Sequence, residues 1–198
     1  MTSPDGQKRA FPIVGIGASA GGLEACAKFL DALPADCGMA FILVQHLDPT
    51  HESMMADLLT SHTSMIVRQA AENMPIEPGH LYVIPPGAYL SVAHGKLHLS
   101  QPVARHGARM PFDFLLHALA EEYGAEAICL VLSGTGTDGS IGVGEIKKKG
   151  GYVIAQDPRE AGYDGMARGA IDTGGVDIVL PVAKIPDALI RHVRPAPA

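Results

Sequence analysis

At 198 residues, with 47% hydrophobic residues, 18% charged residues and 23 glycines, the chain has the size and make-up of one globular domain with its own core. A net charge of −6 and the lack of a basic stripe argue against a nucleic-acid surface. The apolar runs fall short of the roughly 18 residues a membrane helix needs, and the polar first ten residues do not read as a signal peptide.

Residues 1–10 read as a disordered lead-in. "FPIVGIG" then predicts a buried strand that ends in glycines. "GLEACAKFLDAL" predicts a helix with Leu23, Cys26, Ala27 and Leu30 on one face, closed by Pro34. "MAFILVQH" is a second strand, and "HESMMADLLTSH" a helix with Met54, Met55, Leu58 and Leu59 as its core stripe. "HLYVIPPG" is a strand stopped by two prolines. "YLSVAHGKLHLS" alternates about His94-Gly95, as a tight β-hairpin does. "QPVARHGARMP" reads as an exposed loop, and "FDFLLHALAEEYG" as an amphipathic helix ended by Gly124.

"AEAICLVLSG" is the clearest central strand, with Cys129 as a small core residue. "SIGVGEIKKKGG" is a helix whose Lys147, Lys148 and Lys149 complement the dipole at its end. "YVIAQDP", "ARGAIDTGG" and "VDIVLP" follow as strand, short helix and strand. "AKIPDALIRHV" is the last helix before a tail. Strands and helices alternate, which predicts a three-layer α/β/α sandwich: a doubly wound, mostly parallel sheet with the hairpin as an antiparallel departure. One domain is expected over residues 11–193, with 194–198 as the tail. Cys26, Cys37 and Cys129 have neither disulfide nor metal spacing, which suits a reducing, cytoplasmic compartment.

In such a sheet, ligands meet the loops at the carboxyl ends of the strands. Three of these loops are suggestive: "GASAG", "QHLDPTH" and "SGTGTDG". Gly15, Gly17 and Ala20 fit a loose dinucleotide fingerprint. That fingerprint also needs an acid at the end of the second strand, where this chain has Gln45 and His46, with Asp48 beyond. Gly17-Ala18-Ser19-Ala20-Gly21 fits G-x-S-x-G between strand and helix, where small neighbours leave a serine exposed on a sharp turn. Ser19 as a plain helix cap is the alternative.

His46, at the end of the second strand, is the candidate base; His51 and His62 lie in or beside the next helix. Asp138 is the candidate carboxylate to hold the imidazole, with a cap on the following helix as its alternative role. Exposed N–H groups after the serine and in the glycine-rich loop suit an oxyanion. His46, Asp48 and His51 match no common zinc spacing.

Together, "VGIGASAGG", "GMAFILVQHLDPTH", "LYVIPPG", "VLSGTGTDG" and "GYVIAQDP" resemble the chemotaxis protein-glutamate methylesterase family, from about Phe11 to Arg191. The resemblance implies hydrolysis of γ-glutamyl methyl esters on methyl-accepting chemotaxis receptors, and deamidation of receptor glutamines. It maps a triad onto Ser19, His46 and Asp138, and backbone oxyanion donors onto Ala20 and Thr135. It implies no cofactor and no metal. The implied partners are cytoplasmic receptor helices, with a receptor methyltransferase or fused kinase modules beside them. Regulatory members carry an N-terminal receiver domain, for which the ten residues before Phe11 leave no room, so none is expected in this stretch. Ala167 also follows Met166 where relatives usually carry proline. The chain resembles the domains that begin fused methylesterase–methyltransferase–kinase proteins. A non-catalytic signalling module and a general small-ester esterase are the alternative functions.

Overall fold

The computed structural model describes residues 11–34, 36–46, 54–101 and 109–194. The predicted lead-in, most of the 101–111 loop, Asp48, His51 and residues 195–198 lie outside the described residues. Seven strands form one sheet in the order β3-β4-β2-β1-β7-β8-β9. They are β1 (Ile13–Ala18), β2 (Ala40–Gln45), β3 (Ile66–Gln69), β4 (His80–Val83), β7 (Ala127–Val131), β8 (Tyr152–Gln156) and β9 (Ile178–Leu180). All their pairings are parallel. The hairpin strands β5 (Tyr89–Ala93) and β6 (Lys96–Ser100) pair antiparallel as a separate sheet. Its turn residues His94 and Gly95 both have positive φ, 51° and 74°, as a two-residue type I′ hairpin turn requires.

Two helical layers cover the sheet. On one face lie α1 (Gly22–Ala32), α2 (Met55–Thr60) and α6 (Ile185–Val193). Phe29, Leu59 and Leu189 pack there against Ile16, Leu43 and Leu130. On the other face lie α3 (Pro111–Tyr123), α4 (Ser140–Lys148) and α5 (Gly165–Asp172). Phe112, Leu116, Ile146 and Met166 pack there against Ile13, Val131 and Val153, with the hairpin's Leu90 and Leu97. Neighbours in one strand serve opposite cores, Cys129 one and Leu130 the other, so both must be apolar. Each fully buried side chain of this size contributes roughly 1.5–3 kcal/mol by leaving water.

The three cysteines are free and buried; burial pushes the Cys26 thiol up to about 12, which leaves it inert. Of the predicted stripe on α2, Met55 and Leu59 are buried, while Met54 and Leu58 are 64% and 47% exposed. The helix begins at Met55 and presents one narrow side to the sheet. Leu23, predicted on the inner face of α1, is also exposed; Ala25 and Phe29 take that face with Cys26 and Leu30. The edge strand β3 was not among the predicted elements. It pairs on one side only and its residues are mostly exposed, so it has no apolar run.

The chain runs from β1 outward to β2, adds β3 at the edge and β4 between β3 and β2, then crosses over to β7 on the other side of β1. The loops after β1 and β7 thus leave the sheet in opposite directions, and a crevice opens between them.

Candidate active site

Ala18 and Gln45 are the last register pair of β1 and β2. Ser19 and His46 are the residues that follow, on chains about 4.8 Å apart. After Ser19 the chain turns sharply: Gly22 N–H donates to Ser19 O at 2.8 Å. Gly21 takes φ 71° and ψ 2° at the third position, where glycine is favoured. A Cβ there would also come within 2.7 Å of Ser133 Oγ. Gly21 occupies the N-cap of α1, with no side-chain cap bond, so Ser19 is not a helix cap. Ser19 N–H donates to Ser133 O at 3.0 Å, which ties the turn to the loop after β7.

His46 Nε2 lies 2.9 Å from Asp138 Oδ2. Asp138 is 6% exposed, and it also accepts Phe112 N–H at 3.0 Å and Asp113 N–H at 2.9 Å. A carboxylate that takes backbone N–H groups on both oxygens is an acceptor, so Nε2 must be the donor. The hydrogen-bond network thus assigns the proton of neutral His46 to Nε2 and leaves the Nδ1 lone pair available. In the serine-protease template the two ring nitrogens have the opposite assignment.

Asp138 does cap a helix, but not the one it precedes. It takes N–H groups from the first turn of α3, while α4 has Gly139 at its N-cap. Asp113, from that first turn of α3, accepts Gly142 N–H in α4 at 2.7 Å. The two helices therefore exchange capping carboxylates. Burial pushes the Asp113 carboxyl above its ordinary range, and the nearby Asp138 charge adds to the shift.

The N–H groups of Ala20 and Thr135 make no hydrogen bond to any described residue. Their loops touch: a Cβ added at Gly134 would come within 2.9 Å of Ser19 Cβ. Beside Thr135 runs an open trough of about 490 Å³, lined by Gly136, Tyr163 and Asp164 among others. Ala167 is buried in the first turn of α5. Proline is tolerated in a first turn, so alanine or proline at this position suits the same helix start.

His62 and several other acidic and histidine side chains have partners of their own. Asp157 is held by Arg159, whose guanidinium hydrogen bonds bring its carboxyl down to about 2. Asp164 is paired with Arg168. His62 pairs with Asp31, His98 with Glu72 and His117 with Glu145. Two residues to which the sequence reading gave no role in the site belong to its frame. Gln45 donates from Nε2 to Ser19 O at 2.6 Å, and Ser133 Oγ donates to Ala20 O at 2.9 Å. Their placement, one at the end of β2 and one just past β7, is their only mark in the sequence.

The family described as CheB methylesterase matches residues 14–189. A protein-glutamate methylesterase/protein-glutamine glutaminase of Pyrococcus horikoshii is 36% identical over 91% of this chain and 50% of its own length. The protein-glutamate methylesterase FrzG of Myxococcus xanthus is 34% identical over 92% of this chain and 55% of its own. The chain thus spans about half the length of these curated relatives. A crystal structure of the Thermotoga maritima CheB methylesterase catalytic domain superposes with a TM-score of 0.86 at 32% identity. That match covers 93% of this chain and 100% of the solved one.

Proposed function

The chain belongs to the CheB methylesterase family, and from that premise we propose that it hydrolyses γ-glutamyl methyl esters on chemotaxis receptors, with Ser19 as nucleophile. Ser19 Oγ attacks the ester carbonyl while His46 Nδ1 takes its proton. Asp138 holds the ring through Nε2 and stabilises the imidazolium that forms. The carbonyl oxygen becomes an oxyanion between the N–H groups of Ala20 and Thr135. Collapse breaks the bond to the methoxy oxygen, and His46 returns the proton so that methanol leaves. Water, deprotonated by His46, then attacks the acyl-serine. Its collapse releases the glutamate side chain and restores Ser19. A receptor glutamine follows the same path with ammonia as the leaving group.

The observation that carries this reading is the His46–Asp138 bond at the carboxyl edge of the sheet, one register step past Ala18 and Gln45 and therefore beside Ser19. The exposed trough beside Thr135 suits an ester carried on a long helix. The site of action is the cytoplasm, on receptor helices, with methyltransferase or kinase modules nearby. Among the described residues no helix is long and apolar enough to cross a membrane.

Hydrolysis of p-nitrophenyl acetate, set beside demethylation of a methylated receptor fragment, tests the proposal. A methylesterase strongly prefers the receptor ester. A general esterase favours the small ester, and a non-catalytic module acts on neither.

A further inference from the structure

We infer that Gln45 and Ser133 form a clamp that aims the Ala20 N–H into the crevice, so that both are positioning residues for the oxyanion. The inference rests on the reading of Ser19 as nucleophile.

The carbonyl of Ser19 and the N–H of Ala20 share one planar trans peptide, so they point in opposite directions. Whatever holds Ser19 O therefore sets the direction of the Ala20 N–H. Ser19 O accepts two hydrogen bonds, from Gly22 N–H at 2.8 Å and from Gln45 Nε2 at 2.6 Å. The first closes the turn; the second ties it to β2, the strand that delivers His46. Gln45 is buried, and its Oε1 has no partner, so the amide's defined task here is to donate to Ser19 O.

The next peptide is held from the other side. Ser133, 1% exposed, donates from Oγ to Ala20 O at 2.9 Å and accepts Tyr163 N–H at 3.0 Å. Its own carbonyl accepts Ser19 N–H, and its own N–H donates to Gln156 Oε1 at 2.8 Å. Ser133 stands two residues before Thr135, the other proposed oxyanion donor. One buried hydroxyl thus sets the nucleophile turn against the glycine-rich loop. Ala20 N–H, which belongs to the first of these two fixed peptides, has no partner among the described residues. A donor held rigid and unpaired is what a developing oxyanion needs.

The test is labelling by a fluorophosphonate. Ser19 Oγ forms a bond to phosphorus, fluoride leaves, the serine proton passes to His46, and the phosphoryl oxygen takes the oxyanion position. Gln45→Met and Ser133→Ala are each expected to lower the maximal labelling rate at least tenfold. The reagent's half-saturation concentration should stay within about twofold, and Ser133→Thr should recover to within threefold of wild type. Labelling of Gln45→Met and Ser133→Ala at the wild-type rate would overturn the inference, as would a change confined to half-saturation.

Amide exchange at residues 20–22 and 162–166 is read on the same proteins. The clamp predicts faster exchange at 20–22 in both variants and at 162–166 in Ser133→Ala. If wild type is not labelled at Ser19, the nucleophile reading fails, and exchange still decides the clamp: unchanged protection at 20–22 in both variants would remove it.

Discussion

Asp138 accepts three hydrogen bonds, from His46 and from the N–H groups of Phe112 and Asp113. An asparagine has one oxygen, so whichever way it turns, its NH₂ faces a backbone N–H. Asp138→Asn therefore disturbs two things at once. It weakens the start of α3, by roughly 1–3 kcal/mol for a buried donor left unmatched. It also removes the carboxylate that holds the imidazolium, which in the serine-protease template costs about 10⁴ in turnover, or about 5 kcal/mol of barrier. Kinetics measured beside melting curves separate the two effects. The triad role predicts a loss of turnover of about that size in protein that is still folded at the assay temperature. A destabilised variant with near-normal turnover would leave Asp138 as a cap alone. The positions of Ser19 and His46, each directly after an apolar strand, were legible in the sequence. Gln45 and Ser133 were not, because they act on backbone groups and carry no chemical signature of their own.

At the scale of elements, the exchanged caps of α3 and α4 could not be read from the chain. Asp138 lies just before α4, yet it serves a helix that starts at Pro111. Only the packing of the two helices brings the carboxylate there. Asp113, its counterpart, has one oxygen on Gly142 N–H and the other buried without a partner. Asn at this position can keep the cap and removes a buried charge. Burial raises the Asp113 carboxyl in the folded state, so the neutral form is the one folding favours. That contribution is complete below the unfolded-state value of about 3.9 and is lost as pH rises through the raised folded value. Asp113→Asn should therefore gain in melting temperature relative to wild type between acid and neutral pH. A difference constant across that range would contradict the assignment. The missed strand β3 has a related cause: with Arg68 and Gln69 on an exposed edge, its place comes from pairing to β4 rather than from an apolar pattern.

For the whole molecule, the layer order was legible because strands buried on both faces must be continuous apolar runs, and helices between them force parallel pairing. The order of strands, with β1 between β2 and β7, was not written in any one segment. That order brings the loops holding Ser19, His46 and Asp138 to one edge, and the proposed activity depends on it. The most direct test is methanol release from a methyl-esterified receptor cytoplasmic fragment by wild type and by Ser19→Ala. The substitution makes a small residue smaller, so the two proteins should melt within a few degrees of each other. The account predicts steady methanol release by wild type and a loss of at least about a thousandfold in Ser19→Ala, of the order seen when a triad member is removed. Release by the folded variant at more than about a tenth of the wild-type rate, less than a 1.4 kcal/mol change in barrier, would contradict it.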